Sequence, residues 1–274
     1  MQIIDERAPR SPAAGSGAPT RRSGQGAASQ RVGLSLAADV LERLRSRIGH
    51  WRLPDNLIEE LFGHHALLTY SKGALIFPQD SPAEVIFLIH KGLVNLYSYQ
   101  ADGSRVLVRL AGVGEIIGYA NILDQKGRPL HALEAAARTS CQFAMVTREH
   151  LGAGLQGLDS RTLVKLIETL NAVWSGEMLR WANCVPRDCQ HRLQLVFADL
   201  AYRLGVRDAR GIVLLPELSH LDLAEMTGCS RPMASRVIAQ MLKQGILARQ
   251  EGRYIVPAGS AIEAMLPDYR PSRS

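Results

Sequence analysis

The chain has 274 residues, with 32 Lys or Arg against 26 Asp or Glu and a formal net charge of +6. This length accommodates two domains with sizeable cores, and the modest positive charge is compatible with an anionic partner without requiring one. No apolar run approaches the roughly 20 residues that span a bilayer, and no secretory signal pattern opens the chain. We therefore expect a cytoplasmic protein that does not enter a membrane.

The four cysteines are Cys141, Cys184, Cys189 and Cys229. They contain no CxxC pair and are too sparse for a secreted disulfide scaffold, so free thiols in a reducing compartment are expected. Cys184 and Cys189 lie five residues apart. A metal or a redox pair could use that spacing, but metal sites usually have closer ligand pairs. No metal site is predicted, and redox activity of this pair stays open.

Residues 1–33 are rich in Gly, Ala, Ser, Pro and Arg and contain few large apolar side chains. Such a segment cannot bury enough apolar surface to offset the entropy of ordering, so it is predicted to be a disordered tail. From Leu34 to about Leu68 the apolar residues recur at helical spacing, with a restart after Pro54. Helices are predicted there.

From Lys72 the pattern changes to short β-branched and aromatic runs separated by glycines. The Asp102-Gly103 pair favours a tight turn with positive φ, so Leu93–Tyr99 and Val106–Leu110 are predicted to form a hairpin. Similar turn signals continue to about Thr147. Their spacing predicts an antiparallel roll or barrel of about eight short strands.

A long amphipathic helix is predicted after these strands. Its apolar residues keep one stripe over roughly five turns, which favours pairing with a second copy of the chain over packing on its own roll alone. The predicted dimer interface comprises Leu163, Ile167, Leu170, Trp174, Met178 and Trp181.

Near the C-terminus, two short helical patterns flank Gly228. Ser219 with Asp222 three residues later is a capping-box pattern, and Ser230 can cap the second helix. Two helices joined by a glycine-containing turn are typical of a helix-turn-helix. Two short strands around Glu251-Gly252 are predicted to form a wing.

The second helix has two faces on a helical wheel. The apolar face consists of Ala234, Val237, Ile238, Met241 and Leu242. The other face is small and basic, which lets a helix enter the major groove and an Arg guanidinium bond guanine O6 and N7. Arg249 and Arg253 of the wing could reach phosphates. The predicted DNA-binding residues are Ser219, Ser230, Arg231, Pro232, Ser235, Arg236, Lys243, Arg249 and Arg253.

The segment GCSRPMASRVIAQMLKQGIL closely resembles the recognition segment of the Crp/Fnr family of bacterial transcription regulators. The GEIIG element, the long central helix and Asp188 in RDCQHRL also follow that family's order, from roughly Leu57 to Pro257. The resemblance implies an α+β fold: an N-terminal cyclic-nucleotide-binding-like β-roll (a double-stranded jelly roll), a long central dimerisation helix and a C-terminal winged helix-turn-helix. The predicted boundaries are 1–33 for the tail, 34–157 for the roll with its N-terminal helices, 158–186 for the dimerisation helix, 187–260 for the DNA-binding domain and 261–274 for a C-terminal tail.

The resemblance further implies a homodimer that binds an inverted repeat in double-stranded DNA and contacts RNA polymerase if it is an activator. Pro232 stands where the best-known members have a glutamate that accepts from cytosine, so the preferred base pair should differ there. The alternative is a regulatory module that controls a partner protein, which predicts little salt dependence of any DNA association. An enzyme is not expected, because common catalytic motifs are missing from the sequence.

Family members that bind cyclic AMP carry a Gly-Glu-Leu element and, some ten residues later, an Arg-Ser pair. Here Gly118 is followed by Tyr119, and His131 and Ala132 take the place of Arg-Ser. Burying a phosphate without a guanidinium is costly, so the resemblance argues against cyclic AMP. Another nucleotide such as a cyclic dinucleotide, a small metabolite or no effector at all stays open. The effector pocket implied by the resemblance comprises Gly118, Tyr119, His131, Ala132, Glu134, Glu177 and Met178.

Overall fold

The computed structural model describes residues 67–119, 129–168, 171 and 188–266. The predicted N-terminal tail, the helices before residue 67 and most of the predicted central helix lie outside this part of the chain.

Eight strands form the first part of the fold. They are β1 (Leu68–Tyr70), β2 (Leu75–Phe77), β3 (Val85–Lys91), β4 (Val94–Tyr99), β5 (Arg105–Ala111), β6 (Ile116–Ile117), β7 (Glu134–Ala137) and β8 (Cys141–Thr147). They make two antiparallel four-stranded sheets, with orders β1-β8-β3-β6 and β2-β7-β4-β5. An apolar core includes Phe87 and Phe143, whose rings meet edge to face at 5.7 Å between centroids. The prediction of an antiparallel roll of about eight strands is confirmed.

The hairpin predicted around Asp102-Gly103 is also confirmed. Strands β4 and β5 pair antiparallel, with Tyr99 opposite Arg105 at the turn end. Gly103 has φ +79°, the left-handed conformation that glycine adopts without a steric cost. The carboxylate of Asp102 accepts a 2.9 Å hydrogen bond from the Ser104 N–H. A local side-chain contact therefore closes the turn.

Helical structure follows the roll directly. The Thr147 hydroxyl accepts from the His150 N–H and caps helix α1 (Arg148–Gln156). Residues 160–168 are helical again, and Asp159 accepts from the Thr162 N–H at 2.9 Å. Among the residues that the structure describes, no helix combines the length and apolar character needed to cross a membrane.

The C-terminal unit is a winged helix. Its elements are α2 (Cys189–Leu204), β9 (Gly205–Asp208), β10 (Gly211–Leu214), α3 (His220–Thr227), α4 (Arg231–Lys243), β11 (Ala248–Gln250), β12 (Arg253–Pro257) and α5 (Ala261–Ala264). The four strands form one antiparallel sheet in the order β11-β12-β10-β9. Helix α2 begins where the carboxylate of Asp188 accepts from the His191 N–H at 2.8 Å, and it is almost wholly buried from Leu193 onward.

The first residues of the predicted C-terminal tail, 261–274, belong to the winged helix. Ser260 caps α5 by accepting from the Glu263 N–H, and Ile262 and Leu266 are buried in the core of the winged helix. These two apolar side chains hold the segment that follows Ser260 against this core. The Ser-x-x-Glu spacing and this apolar pair were the overlooked signals. Strand β9 was not predicted either, because its sequence Gly-Val-Arg-Asp has no apolar alternation to mark it.

Strand β5 joins the two units. Leu107 and Leu110 are fully buried, and they belong to the same apolar cluster as Phe197 of α2 and Leu223 of α3. One edge of the roll therefore packs directly against the helix-turn-helix.

Candidate nucleic-acid interface

The turn between α3 and α4 is built from local capping interactions. Ser219 and Asp222 form a reciprocal capping box at the start of α3, and Gly228 ends the helix with φ +62°. The Ser230 hydroxyl accepts from the Met233 N–H and caps α4, with Pro232 in the first turn. The caps predicted at Ser219, Gly228 and Ser230 are all present. They fix where α3 ends and where α4 begins.

Helix α4 has one buried and one exposed face, as the wheel predicted. Ala234, Val237, Ile238 and Met241 are buried, and Leu242 is partly buried against the same core. Ser235 on the opposite face is half-buried. The exposed residues of that face are Arg231, Pro232, Arg236, Ala239 and Lys243. The basic face is therefore free of the protein's own core.

A histidine missing from the sequence prediction lies on this face. His220 is the first residue of α3, and its Nδ1 lies 2.8 Å from the Ser235 hydroxyl of α4. Burial lowers the pKa of His220, and the positive charges of Arg249 and Arg231 lower it further. The imidazole is therefore neutral at pH 7. Its hydrogen bond with Ser235 connects α3 to α4. No local sequence pattern indicates this pair, because its two members are 15 residues apart on different helices.

The wing extends the same cationic surface. Glu251 and Gly252 both have positive φ, which makes the tight turn between β11 and β12. The guanidinium of Arg249 lies 5.0 Å from the centre of the Tyr254 ring, a cation–π contact that orients it. Arg253 is exposed at the start of β12. The wing predicted from the sequence is thus present, with both of its arginines at the surface.

The cations of this surface share one property. Within the described part of the chain, no salt bridge to a carboxylate is formed by Arg231, Arg236, Lys243, Arg249 or Arg253. Arg236 instead contacts the sulfur of Met233. Guanidinium groups that are not neutralised internally are available to phosphates and to guanine edges.

The charged groups between the roll and the winged helix are buried, whereas those of the cationic surface are exposed. Glu115, from the GEIIG element, accepts from Arg109 at 2.6 Å and from Arg203 of α2 at 3.1 Å. Arg203 also pairs with Asp199 at 2.6 Å and donates to the Leu110 carbonyl at 2.8 Å. Burial would raise the pKa of Glu115, but the charges of Arg203 and Arg109 outweigh burial and hold it below its usual range. The sequence had assigned Glu115 no role.

Two further contacts connect the roll to α3. Arg138 pairs with Asp222 at 2.9 Å and donates to the Glu217 carbonyl, while the Leu107 N–H donates to Glu225 at 2.7 Å. Burial would raise the pKa of Asp222, but hydrogen bonds from Arg138 and Ser219 outweigh it and the pKa is lowered. The first helix of the helix-turn-helix is therefore fixed to the roll at its N-terminal turn and again at Glu225.

The structure brings together part of the predicted effector pocket. A Cβ on Gly118, at φ +81°, would lie 3.1 Å from the Val85 carbonyl and 3.2 Å from the His131 ring. His131 is buried and stacks on Phe77 with ring centroids 3.9 Å apart. Burial lowers the pKa of His131, so this imidazole is neutral at pH 7 and brings no positive charge.

The other predicted pocket residues that the structure describes have different surroundings from this buried pair. Tyr119 and Ala132 are exposed, whereas Glu134 is buried in the other sheet. Glu134 accepts from Arg105 and from the Tyr99 hydroxyl, each at 3.1 Å, and Arg105 lies 4.0 Å above the Tyr97 ring. Arg105 is thus a guanidinium of the roll that was not among the predicted pocket residues. Glu177 and Met178 lie outside the described residues.

A β-roll followed by a winged helix-turn-helix with a cationic helix face defines a two-domain transcription regulator with a DNA-binding domain. Residues 67–156 match the family described as cyclic nucleotide-binding domain, and residues 191–265 match the Crp-like helix-turn-helix domain. The two matches occur in this order and together span more than half of the chain. The protein belongs to the Crp/Fnr family of transcription regulators, which confirms the resemblance of its recognition segment and the predicted fold class.

The chain is also similar to individual proteins. The chain is 24% identical over 232 residues to the CRP-like protein Clp of Xanthomonas euvesicatoria, covering 81% of this chain and 96% of the relative. The structure of FixK2 from Bradyrhizobium japonicum matches with a TM-score of 0.61 and 22% identity, over 77% of this chain and 99% of that one. The c-di-GMP responsive regulator CLP of Xanthomonas campestris matches with a TM-score of 0.57 and 21% identity, over 74% and 99%.

Proposed function

We propose that the protein is a homodimer that binds an inverted-repeat operator by inserting α4 into the major groove. The observation that carries this proposal is the exposed face of α4 and the wing, whose five cations form no salt bridge within the described residues. We further infer that it acts in the cytoplasm as a non-enzymatic regulator and contacts RNA polymerase where it activates.

The positions of the polar groups on α4 and the wing indicate which of them would read bases and which would bind phosphates. Arg231 and Arg236 are exposed near the N-terminal end of the helix, the end that enters the groove in this type of motif. They would read bases, together with Ser235. Pro232 offers no hydrogen-bonding group to a base, and its small ring lets the helix approach closely. Lys243, Arg249 and Arg253 are spread toward the helix end and the wing, and they would hold phosphates.

The start of the central helix supports a dimer. In the helical segment 160–168, Leu163 is 42% exposed, Val164 53% and Ile167 56%. Adjacent exposed apolar side chains on one helix are typical of a protein interaction surface. Leu163 and Ile167 belong to the predicted stripe, and its remaining members lie outside the described residues. A twofold dimer would present two copies of α4 to two half-sites, which accounts for an inverted repeat.

The dimer is tested by replacing Leu163 and Ile167 with Glu in the full chain. The double variant should sediment as a monomer and lose most operator affinity, because each protomer would have to bury two charges at the seam. Replacing the exposed Val206 with Glu is the matched control, since it introduces one charge on an exposed apolar residue of the winged helix. An unchanged dimer in the double variant would contradict this interface.

DNA recognition is tested by selecting duplexes from a random pool with the full-length protein. We expect enrichment of an inverted repeat and a steep fall of affinity with salt, because several phosphates would be neutralised on binding. A module that controls a partner protein would enrich no duplex, and any residual DNA association would change little with salt. That outcome would overturn the proposal in favour of the partner-protein alternative.

We also propose that cyclic AMP is not the effector. The place of the Arg-Ser pair holds His131 and Ala132, and His131 is neutral, buried and stacked on Phe77. A cyclic dinucleotide is the natural comparison, since one similar structure is described as responsive to c-di-GMP. Thermal melting of the protein with either nucleotide tests this point. Stabilisation by cyclic AMP at micromolar concentration would contradict the proposal.

A further inference from the structure

Two cysteine thiols meet where α2 and the helix-turn-helix turn come together. Cys189 is the first residue of α2, and Cys229 lies in the short turn between α3 and α4. Both side chains are partly buried and pack against the same apolar core. Burial, followed by a hydrogen bond to the Cys229 thiol, raises the pKa of Cys189 to about 12. The two thiols are thus neighbours in the fold, although they are far apart in the sequence.

A guanidinium holds the second thiol. Arg192, one turn after Cys189 on α2, donates from Nη2 to the Cys229 sulfur at 3.3 Å. Its Nη1 lies 3.8 Å from the position of a Cβ on Gly228, so the guanidinium covers the turn. A guanidinium beside a sulfur stabilises the negative charge that develops when the thiol attacks an electrophile. This arrangement marks Cys229 as the attacking thiol and Cys189 as its resolving partner.

We propose that Cys189 and Cys229 are an oxidation site, at which a peroxide forms an intramolecular disulfide that links α2 to the helix-turn-helix turn. Neither the function proposed above nor the family comparisons assign a role to this pair. Exposure supports accessibility, because neither side chain is fully buried. Cys141, by contrast, is buried in the roll and donates to the Leu93 carbonyl.

The chemistry takes two steps. The Cys229 sulfur attacks one oxygen of hydrogen peroxide, so that an S–O bond forms, the O–O bond breaks, and the departing hydroxide takes the thiol proton as water. The Cys189 sulfur then attacks the sulfenic sulfur: the S–S bond forms, the S–O bond breaks, and hydroxide leaves as water with the Cys189 proton. Two thiols lose two electrons, and one peroxide is reduced to two waters.

The disulfide should weaken DNA binding, a consequence that rests on the proposed function. A disulfide bond of about 2.05 Å is much shorter than a hydrogen-bonded contact between two sulfurs, so the two side chains must approach. Cys229 directly precedes the α4 cap Ser230, and the approach would shift the N-terminal end of α4 with Arg231. We expect at least a tenfold loss of operator affinity on oxidation, reversed by dithiothreitol.

The disulfide is tested by peptide mapping of the full chain after hydrogen peroxide treatment. Cleavage after Arg and Lys places the four cysteines in four different peptides. We expect peptide 188–192 linked to peptide 211–236 in the non-reduced digest, because the Arg231-Pro232 bond resists trypsin. A link from Cys189 to Cys184, a covalent dimer, or no link at all would overturn the proposed pair.

The functional consequence is tested on a duplex selected from a random pool by the reduced protein. Oxidised wild type should bind it more weakly, whereas Cys229→Ser, which lacks the attacking thiol, should be insensitive to peroxide and Cys184→Ser should respond like wild type. Unchanged melting temperatures of the reduced variants would show that they fold. A disulfide without any loss of affinity would overturn the effect on DNA binding. Failure of the reduced protein to enrich any duplex would contradict the proposed function alone, because the peptide map does not depend on DNA.

Discussion

Arginines have opposite surroundings in two neighbouring regions of this protein. At the contact between the roll and the winged helix, the Arg203 side chain is 2% exposed and bonds to two carboxylates. On the outer face of α4, Arg231 and Arg236 are exposed, and within the described residues neither forms a salt bridge. The same side chain therefore fixes domain orientation where it is neutralised internally and can recognise an anion where it is not. Burial and carboxylate partners, rather than the count of basic residues, separate the two roles.

Replacing Arg203 with Met should give the largest effect, because Asp199 and Glu115 would each lose a buried cationic partner. Removing one member of a buried ion pair costs about 3 to 5 kcal/mol. Arg207→Met is the matched control: Arg207 is 61% exposed and pairs with Glu263 at 2.6 Å. A surface pair of this kind contributes about 1 kcal/mol or less. Denaturant unfolding of both variants measures the difference, and equal losses would contradict the comparison.

Acid should weaken the contact between Glu115 and Arg203. The pKa of Glu115 is lowered in the folded protein, so its contribution to stability is complete above the unfolded pKa of about 4.3. This contribution is lost as the pH falls through the lower, folded-state pKa. Glu115→Gln should therefore be less stable than wild type at pH 7, and the gap should narrow toward pH 3. Melting curves at several pH values measure this difference in stability. A difference that does not change with pH would show that Glu115 does not act through its charge.

Arg231→Ala sharpens the comparison at the other surface. Stability should hardly change, because the side chain is exposed and makes no salt bridge within the described residues. Binding should lose about 1 to 3 kcal/mol at one base pair and become tolerant of substitution there. Affinities for a set of single-base operator variants measure this. Discrimination that stays the same at every position would rule out base reading by Arg231.

Arg253→Ala should have the smallest effect. A wing arginine that holds a phosphate contributes to affinity without reading sequence. The variant should bind all operators more weakly by a similar factor, and the slope of log affinity against log salt should become shallower by about one. Titrations at several salt concentrations measure the slope. A loss confined to particular base pairs would instead place Arg253 among the base-reading groups.

Local signals predicted the exposed cationic surface of the helix-turn-helix well. The caps at Ser219 and Ser230, the turn at Gly228 and the two faces of α4 depend on residues within one or two helical turns of one another. The Asp102-Gly103 hairpin is local in the same sense. Such features follow from backbone hydrogen bonds and helical spacing, which the sequence displays directly.

Contacts between distant segments were not predicted. Arg203 and Glu115 are 88 residues apart, and nothing in either neighbourhood identifies the other as its partner. The same holds for His220 with Ser235 and for Cys189 with Cys229. The sequence instead drew attention to Cys184 and Cys189, because they are close along the chain. The packing of α2 against the turn brings Cys229 next to Cys189.

Strand β5 has a consequence for cutting or recombining this protein. Leu107 and Leu110 come from the roll, yet they fill the core beneath α2 and α3. A fragment that starts at residue 188 would leave that apolar surface open to water and would be prone to aggregate. A chimaera that joins this winged helix to the roll of a relative inherits the same difficulty. It should fold well only when the donor roll supplies matching leucines at positions 107 and 110 and an acidic group at position 115.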